Sequence, residues 1–167
     1  CTGCGSALEG ADDPNIGHAI KSTYRLEKLL GTGATGRVYL AEQLTLKKKV
    51  AVKLLDASRL DQQRNTARFI AEARALARLR HPRIVRVRAG GHEQGYYWFA
   101  MDYLPGGTLA QRVSREGPLT PGLAVLYTLQ LLQALSAVHS LGVVHRDVKP
   151  DNLLLDEGGD AHLSDFG

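Results

Sequence analysis

The residues with the clearest capacity for chemistry lie in the run HRDVKPDN, residues 145–152, and in the triplet DFG, residues 165–167. Asp147 can accept a proton from a hydroxyl group, and Lys149 can neutralise a phosphate. Asn152 and Asp165 offer the hard oxygen ligands that Mg²⁺ prefers. These residue types are those that metal-assisted transfer of a phosphoryl group needs. A polar loop that merely carries charges is the alternative, and two further motifs argue against it.

The first of these motifs is glycine-rich. Residues 31–38 read GTGATGRV, a G-x-G-x-x-G-x-V pattern. Dinucleotide-binding folds share the three glycines, but there a helix follows them, whereas here a β-type run over residues 37–42 follows. We therefore predict a hairpin whose glycines let backbone amides approach a triphosphate while Val38 covers the base. A plain glycine-rich turn is the alternative.

The second motif is a lysine on a predicted strand over residues 47–55. Ala51 and Lys53 are two residues apart, so they share a face of that strand. A lysine on the inner face of a strand needs a negative charge nearby. Glu72 can supply it from the apolar face of a helix predicted over residues 64–80. An exposed glutamate paired with a neighbouring arginine is the alternative.

Local signals predict the remaining elements. Pro82 ends the preceding helix, and a strand starts in HPRIV, residues 81–85. An aromatic run over residues 96–104 predicts a buried strand that ends at a Pro-Gly-Gly linker. A short helix over residues 108–116 and a long helix capped at Thr120 and ending at His139 follow, and the leucines of the long helix should pack against the strands beside the catalytic loop. Residues 153–155 and 161–163 predict a small hairpin.

Taken together, HRD-x-K-P-x-N, DFG, the glycine pattern, VAVK at residues 50–53 and HPRIV resemble the motifs of eukaryotic-type (Hanks-type) serine/threonine protein kinases, and of bacterial ones in particular. The resemblance covers residues 24–167. It implies an α+β, two-lobed kinase-like fold, with an antiparallel sheet and one helix in an N-lobe, residues 24–102. A hinge and the start of a mostly helical C-lobe, residues 103–167, would follow. Residues 1–23 are predicted to be a tail and linker.

The resemblance also implies roles for individual residues. ATP would be the phosphate donor, Mg²⁺ the metal held by Asn152 and Asp165, and protein Ser or Thr hydroxyls the acceptors, since Lys149 is typical of serine/threonine specificity. Lys53, held by Glu72, would grip the α- and β-phosphates, and Met101 would be the gatekeeper of the adenine pocket. The implied catalytic residues are Asp147, Lys149, Lys53 and Glu72. The implied ATP-binding residues are Leu30, Gly31, Thr32, Gly33, Ala34, Thr35, Gly36, Val38, Ala51, Lys53, Met101, Asp102, Leu104 and Leu154.

Three other classes of function compete with this interpretation. Small-molecule phosphotransferases of related fold typically carry H-G-D, so Arg146 argues against them; in a kinase this arginine implies control by phosphorylation of an activation loop. A pseudokinase or nucleotide-binding scaffold is the second rival, although every catalytic position is intact. The third is a zinc-ribbon interaction protein. Cys1 and Cys4 form a C-x-x-C-G knuckle, which predicts half of a zinc site, as in the ribbon of some bacterial kinases, or else an incidental, redox or disulfide pair.

The composition and charge of the sequence limit the kinds of binding partner that we expect. With 44% hydrophobic and 23% charged residues, the sequence is typical of a soluble globular protein. The net charge of +4 arises largely from arginines over residues 74–88, which favour a solvated basic face over nucleic-acid binding. No run approaches the ~18 apolar residues of a membrane span, so we expect a cytoplasmic kinase domain. The ends of the sequence predict a fragment that is inactive alone and that exposes leucines on its long helix.

Overall fold

The structure is a computed structural model, and it describes residues 13–33, 36–56, 79–93 and 95–165. The described residues form two compact units: residues 13–33, 36–56, 90–93 and 95–100 lie in the first, and residues 79–89 and 101–165 in the second. Ile84 is 5% exposed and packs in the core of the second unit. The predicted lobe boundaries stay a prediction.

The strands form a six-stranded sheet in the order β1-β2-β3-β4-β6-β5. Their bounds are β1 Ala19–Ile20, β2 Tyr24–Gly33, β3 Gly36–Gln43, β4 Lys48–Asp56, β5 Val87–Glu93 and β6 Tyr96–Asp102. The hairpin predicted around the glycines is confirmed, since β2 and β3 pair antiparallel from Tyr24↔Gln43 to Gly33↔Gly36. The strand expected at HPRIV starts only at Val87, because residues 81–84 form a turn closed by the bond from Ile84 N to His81 O, 3.2 Å.

Side chains of β3 and β4 alternate between two faces. Tyr39, Val50 and Val52 are fully buried on one face and form the core of the first unit. Val38, Ala51 and Lys53 share the other face, as the register Val38↔Lys53 requires. The common face predicted for Ala51 and Lys53 is therefore present.

Residues 13–22 were expected to belong to a linker, but they lie against the sheet. Residues Ala19–Ile20 form β1 and pair with β2, through Ala19↔Arg25 and Ile20↔Tyr24. Two further backbone bonds extend this contact: Gly17 N donates to Leu26 O at 2.8 Å, and Leu26 N donates to His18 O at 2.9 Å. The composition of this stretch is that of a linker, and its pairing depends on β2, which sequence composition alone does not report.

The second unit holds two helices, α1 Leu109–Glu116 and α2 Pro121–His139. A 3₁₀ turn, Pro150–Asn152, leads into β7 Leu153–Leu155, which pairs antiparallel with β8 Ala161–Leu163. Both helices begin at an N-cap, of which the one at Thr120 was predicted. Thr108 forms a capping box with Gln111, and Thr120 accepts a hydrogen bond from Leu123 N just before Pro121.

Helix α2 is apolar on all sides, but only one of its faces is packed. Tyr127, Gln130, Ala134 and Val138 are buried in the second unit, whereas leucines including Leu129 are exposed. The prediction that the leucines of this helix pack against the strands is therefore wrong for Leu126, Leu129 and Leu132, which are 42–54% exposed. By length and composition α2 is also the single helix of the described ranges that is apolar enough to cross a membrane. Tyr127, Ala134 and Val138 of α2 pack in the core of the second unit together with residues of β7 and β8.

Candidate active site

Asp147 lies in the second unit, in the loop between α2 and the 3₁₀ turn, and two partners hold its carboxylate. Lys149 Nζ lies 2.7 Å from Asp147 Oδ2, and Asn152 Nδ2 donates to the same oxygen at 3.0 Å. The hydrogen bond from Lys149, followed by that from Asn152, holds the pKa of Asp147 below its usual value. In return the pKa of Lys149 is raised, mainly by Asp147. At neutral pH the site therefore presents an ionised carboxylate beside an ammonium group, both open to solvent.

Asn152 is the buried member of this group, at 6% exposed. Its amide nitrogen donates both to the carbonyl oxygen of Asp147, at 2.7 Å, and to the carboxylate of Asp147. An amide nitrogen has two hydrogens, and both are committed to Asp147. The amide group is thereby fixed in one orientation, and its oxygen remains available as a hard ligand on the opposite side.

His145 connects the loop around Asp147 to the strand that leads to Asp165. His145 is 1% exposed, and its Nε2 lies 2.8 Å from the carbonyl oxygen of Ser164. Its Nδ1 lies 3.3 Å from Asp147 N. Because a carbonyl only accepts and a backbone N–H only donates, these partners fix the imidazole in the tautomer that carries its proton on Nε2.

Ser164 also holds Asp165 close to Asn152. Both Ser164 N, at 2.9 Å, and Ser164 Oγ, at 3.1 Å, donate to the carbonyl oxygen of Asn152. The two predicted metal ligands thus belong to backbone segments that hydrogen-bond to each other. The negative charge of Asp165 also acts on Lys149, where it contributes to the raised pKa.

Two residues of this region have an unusual backbone. Arg146 has a φ of 66° and Asp165 a φ of 53°, both in the left-handed region that non-glycine residues rarely adopt. Each such residue costs of order 1–3 kcal/mol and persists only where its surroundings hold it. The bonds made by His145 and Ser164 are the contacts that flank these two positions, so the loop conformation is held on both sides.

The donor set fits a magnesium ion that is shared with phosphates. Mg²⁺ is usually bound by one or two carboxylates or amide oxygens together with substrate phosphates, not by a complete cage of protein ligands. Asn152 and Asp165 supply two such oxygens. Among the residues that the structure describes, no cluster of three or more His, Cys, Asp or Glu side chains could hold a metal by itself.

The glycine-rich hairpin lies in the first unit. Among the described residues other than its two chain neighbours, none lies within 4 Å of a Cβ built on Gly31, and a Cβ on Gly33 would lie 3.9 Å from Gly36 O. A Cβ on Gly36 would lie 2.1 Å from the carbonyl oxygen of Leu54. Gly36 is therefore required by the packing of β3 on β4, whereas packing leaves space at Gly31 and Gly33. Ala34 and Thr35 lie outside the described residues.

Three predicted nucleotide-facing residues lie close together on the sheet. Val38 pairs with Lys53 across β3 and β4, and with Gly31 across β2 and β3, while Ala51 lies two residues from Lys53. The adjacent strand residue Leu30 is 40% exposed. Glu72, the predicted partner of Lys53, lies outside the described residues, so that ion pair stays a prediction.

The predicted ATP-binding residues Met101, Asp102 and Leu104 fall in the second unit. Asp102 N donates to Arg86 O at 3.0 Å, and its carboxylate forms an ion pair with Arg88 Nε. Met101 is 9% exposed. Beyond Leu104, Gly106 N donates to Leu155 O at 3.0 Å and Leu155 N donates to Gly107 O at 2.8 Å, which joins this segment to β7 beside Leu154.

Sequence reasoning assigned no role to His145 or Ser164, although both flank residues that it did single out. The sequence did contain a signal for His145, because this residue belongs to the HRD triplet and its side chain can both donate and accept a hydrogen bond. Cys1 and Cys4 lie outside the described residues, so the zinc pair stays a prediction.

Comparison with known proteins identifies the class. The family model described as "Protein kinase domain" matches residues 24–167, and the chain belongs to this family. The chain is 43% identical over 145 residues to serine/threonine-protein kinase pkn3 of Myxococcus xanthus, covering 86% of the chain and 26% of that relative. It is 36% identical over 152 residues to serine/threonine-protein kinase PrkC of Bacillus subtilis, covering 91% and 24%. A third relative, serine/threonine-protein kinase PknL of Mycobacterium bovis, is 35% identical over 158 residues, covering 95% and 40%.

These matches confirm the recognised family and the α+β kinase-like fold class. The chain spans between about a quarter and two fifths of the length of these relatives.

Proposed function

We propose that this chain carries the catalytic machinery of an ATP-dependent serine/threonine protein kinase. The observation that carries the proposal is the carboxylate of Asp147, held by Lys149 at 2.7 Å and by Asn152 at 3.0 Å in a loop tied to the Asp165 segment. Membership of the protein kinase family and the names of the bacterial relatives support it.

Asp147 would orient the acceptor hydroxyl and take its proton. Its lowered pKa keeps it ionised at neutral pH, so it can accept a hydrogen bond from the hydroxyl of a serine or threonine. Lys149, already beside this carboxylate, would contact the transferred phosphoryl group and offset its negative charge. Asp147 and Lys149 are neighbours in space, so acceptor and donor would be held next to each other.

The first unit would bind the nucleotide. Gly31 and Gly33 leave space for phosphates close to the backbone, Val38 would cover the base, and Lys53 on the same face would contact the α- and β-phosphates. Ala51 would contact the base from this unit, and Glu72 would orient Lys53. Met101, Asp102, Leu104 and Leu154, in the second unit, are further proposed ATP-binding residues. Asn152 and Asp165 would hold Mg²⁺, and the bound ion would supply positive charge to offset the negative charge that develops on the phosphate.

The acceptor would be a protein, and ATP as co-substrate would place this domain in the cytoplasm. Zinc at Cys1 and Cys4 would be a separate, structural feature. Metal analysis of the purified protein against a Cys1→Ser/Cys4→Ser variant tests it, and equal zinc content in both would contradict it.

The decisive experiment for the activity compares Asp147→Asn with Asp151→Asn in the purified complete protein that contains this chain. Both substitutions remove one carboxylate from the same loop, and Asp151 is an exposed residue of the 3₁₀ turn. We expect Asp147→Asn to lower autophosphorylation or labelling of a generic protein substrate by about 100-fold or more, the range for loss of a general base. Asp151→Asn should retain activity.

Nucleotide binding should remain near normal in Asp147→Asn, because this carboxylate acts on the acceptor. Phosphorylation at the wild-type rate in Asp147→Asn would contradict the assigned base. A complete wild-type protein that binds Mg-ATP without transferring phosphate would instead support a pseudokinase or nucleotide-binding scaffold.

A further inference from the structure

We propose that Asp13 is a positioning residue for the glycine-rich hairpin, acting through Arg37 and Tyr39. By holding the start of β3 from the face opposite Val38, it would increase the affinity for the nucleotide. The inference rests on the proposed function, since it assigns the hairpin to nucleotide binding. Asp13 lies before residue 24, where the match to the kinase family begins.

The carboxylate of Asp13 is buried and fully engaged. Its side chain is 5% exposed. One oxygen, Oδ2, accepts a hydrogen bond from Tyr39 OH at 2.9 Å and another from Arg37 Nη1 at 3.3 Å. The other oxygen, Oδ1, accepts from Asn15 N at 2.9 Å. Burial of a carboxylate is costly unless it has such partners, so this contact is a specific one.

Tyr39 is held from two sides. Its hydroxyl donates to Asp13 and accepts from Asn15 Nδ2 at 3.0 Å, while its side chain is fully buried. Burial alone would raise the pKa of Asp13, but the hydrogen bonds from Asn15 and Tyr39, together with the charge of Arg37, hold it below its usual value. The cluster therefore contains an ionised carboxylate at neutral pH.

The position of this cluster on the hairpin gives it a role beyond packing. Arg37 directly follows Gly36, the first residue of β3, and it pairs with Thr32 between the first two glycines. Arg37 and Tyr39 alternate with Val38, so their side chains leave the opposite face of the strand. A contact that holds residues 37 and 39 therefore limits the motion of Val38 and of the backbone at Gly36, without occupying the face that would contact the nucleotide.

The segment that carries Asp13 is itself fixed to the first unit. In addition to β1 and the bonds between residues 17–18 and Leu26, Lys21 N donates to Glu93 Oε2 at 2.9 Å. Lys21 and Ser22 have φ values of 52° and 51°, and they turn the chain from β1 into β2. Asp13 is thus presented by a segment with several attachment points. Ordering the glycine-rich hairpin in advance lowers the conformational entropy that nucleotide binding must remove.

The test uses Asp13→Asn and Tyr39→Phe in the purified complete protein that contains this chain, with Glu27→Gln as a matched control. Glu27 is an acid of the same unit whose ion pair with Lys49, at 2.6 Å, is partly exposed and lies on β2 and β4. We expect the two cluster variants to raise the Kd for a non-hydrolysable Mg-ATP analogue, and the KM for ATP, by about three- to tenfold. Loss of one hydrogen bond corresponds to about a fivefold to tenfold change in an equilibrium constant, and we expect part of this change to appear in the nucleotide affinity of the hairpin. The kcat at saturating ATP should change by less than about twofold, because the interaction acts on binding and not on the transferred group.

A second readout does not depend on activity. In the nucleotide-free protein, hydrogen exchange of the backbone amides of residues 36–39 should be faster in both variants than in wild type and in Glu27→Gln. Tyr39→Phe keeps the buried ring and removes only the hydroxyl group. If Asp13→Asn fails to fold, hydrogen exchange in Tyr39→Phe therefore tests the inference.

Two outcomes would overturn the inference: unchanged exchange at residues 36–39, or a Kd for the analogue equal to that of wild type in Tyr39→Phe. A wild-type protein that binds no nucleotide would overturn the proposed function and with it the affinity effect, while the exchange measurement would still decide whether Asp13 orders the hairpin.

Discussion

At the scale of single residues, the pKa of Asp147 depends on its neighbours. Lys149 contributes most to its lowered pKa and Asn152 comes second. A carboxylate with a depressed pKa works as a proton acceptor only above that pKa, and it loses this capacity as the pH falls through it. The pH profile of the reaction therefore reports on the contact between Lys149 and Asp147.

We predict that Lys149→Met shifts the acid limb of the kcat/KM profile to higher pH. Removal of the cation raises the pKa of Asp147, so protonation begins at a higher pH than in wild type. The maximum value of kcat/KM should also fall, but the pH at which the acid limb begins does not depend on that maximum. Lys48→Met, at an exposed lysine of β4, is the control and should leave the limb in place. A limb that does not move in Lys149→Met would show that another group titrates.

His145 gives a second prediction at this scale, because it joins Asp147 to Ser164. His145→Phe keeps a ring of similar size but leaves Asp147 N and Ser164 O without this partner. We expect the free energy of unfolding to fall by about 1–3 kcal/mol, the cost of unsatisfied buried polar groups, and phosphoryl transfer to fall with it.

Urea denaturation of His145→Phe measures the change, with His139→Phe as control, since His139 is exposed at the end of α2. Equal stability of the two variants would argue that His145 merely fills space.

At the scale of elements, the hairpin of β2 and β3 contains glycines of two kinds. Gly36 is needed because β4 passes so close to it, whereas in the described part of the chain no residue beyond its two neighbours lies within 4 Å of a Cβ built on Gly31. Packing thus explains Gly36 and leaves Gly31 to be explained by a ligand that approaches the backbone.

We predict that Gly36→Ala lowers the free energy of unfolding by about 1–3 kcal/mol, because its Cβ meets the backbone of Leu54 and overpacks the sheet. Gly31→Ala should leave stability unchanged or slightly increased while it weakens ATP binding. The single tryptophan, Trp98, is 4% exposed in the first unit and provides the fluorescence signal for unfolding. Loss of stability in Gly31→Ala, or normal ATP affinity in that variant, would contradict this division.

At the scale of the whole molecule, α2 presents two apolar faces and packs only one. The exposed face contains Val125, Leu126, Leu129 and Leu132, each 42–59% exposed. A continuous apolar surface of this kind promotes association, in contrast to single exposed leucines, which are common on protein surfaces. The solubility of the 167-residue chain should therefore depend on this face.

We predict that Leu129→Gln combined with Leu132→Gln lowers aggregation of the chain, measured by light scattering, and changes the free energy of unfolding by less than about 0.5 kcal/mol, as is usual for surface substitutions. Leu46→Gln is the control, because Leu46 is 68% exposed but lies alone in the turn after β3. A marked loss of stability in the double variant would show that this face makes contacts that the structure does not contain.

The sequence alone was enough to predict the features that depend on residues close to one another along the chain. The cap at Thr120, the hairpin at the glycines and the start of the helix near Thr108 could all be predicted, because each depends on residues a few positions apart. The sequence motifs were sufficient to recognise the family.

The tertiary structure decided the contacts between residues that are distant in sequence. Residues 13–22 read as a linker because nothing near them reveals that Asp13 meets Tyr39 or that β1 pairs with β2. On α2 both faces are apolar, so hydrophobicity could not select the packed one. The packed face is the one that contains Gln130. The side-chain amide of Gln130 donates to Asp160 at 2.6 Å and accepts from Ala161 N at 2.8 Å. Satisfying a buried polar group requires partners from another element, and a one-dimensional pattern does not show which element that is.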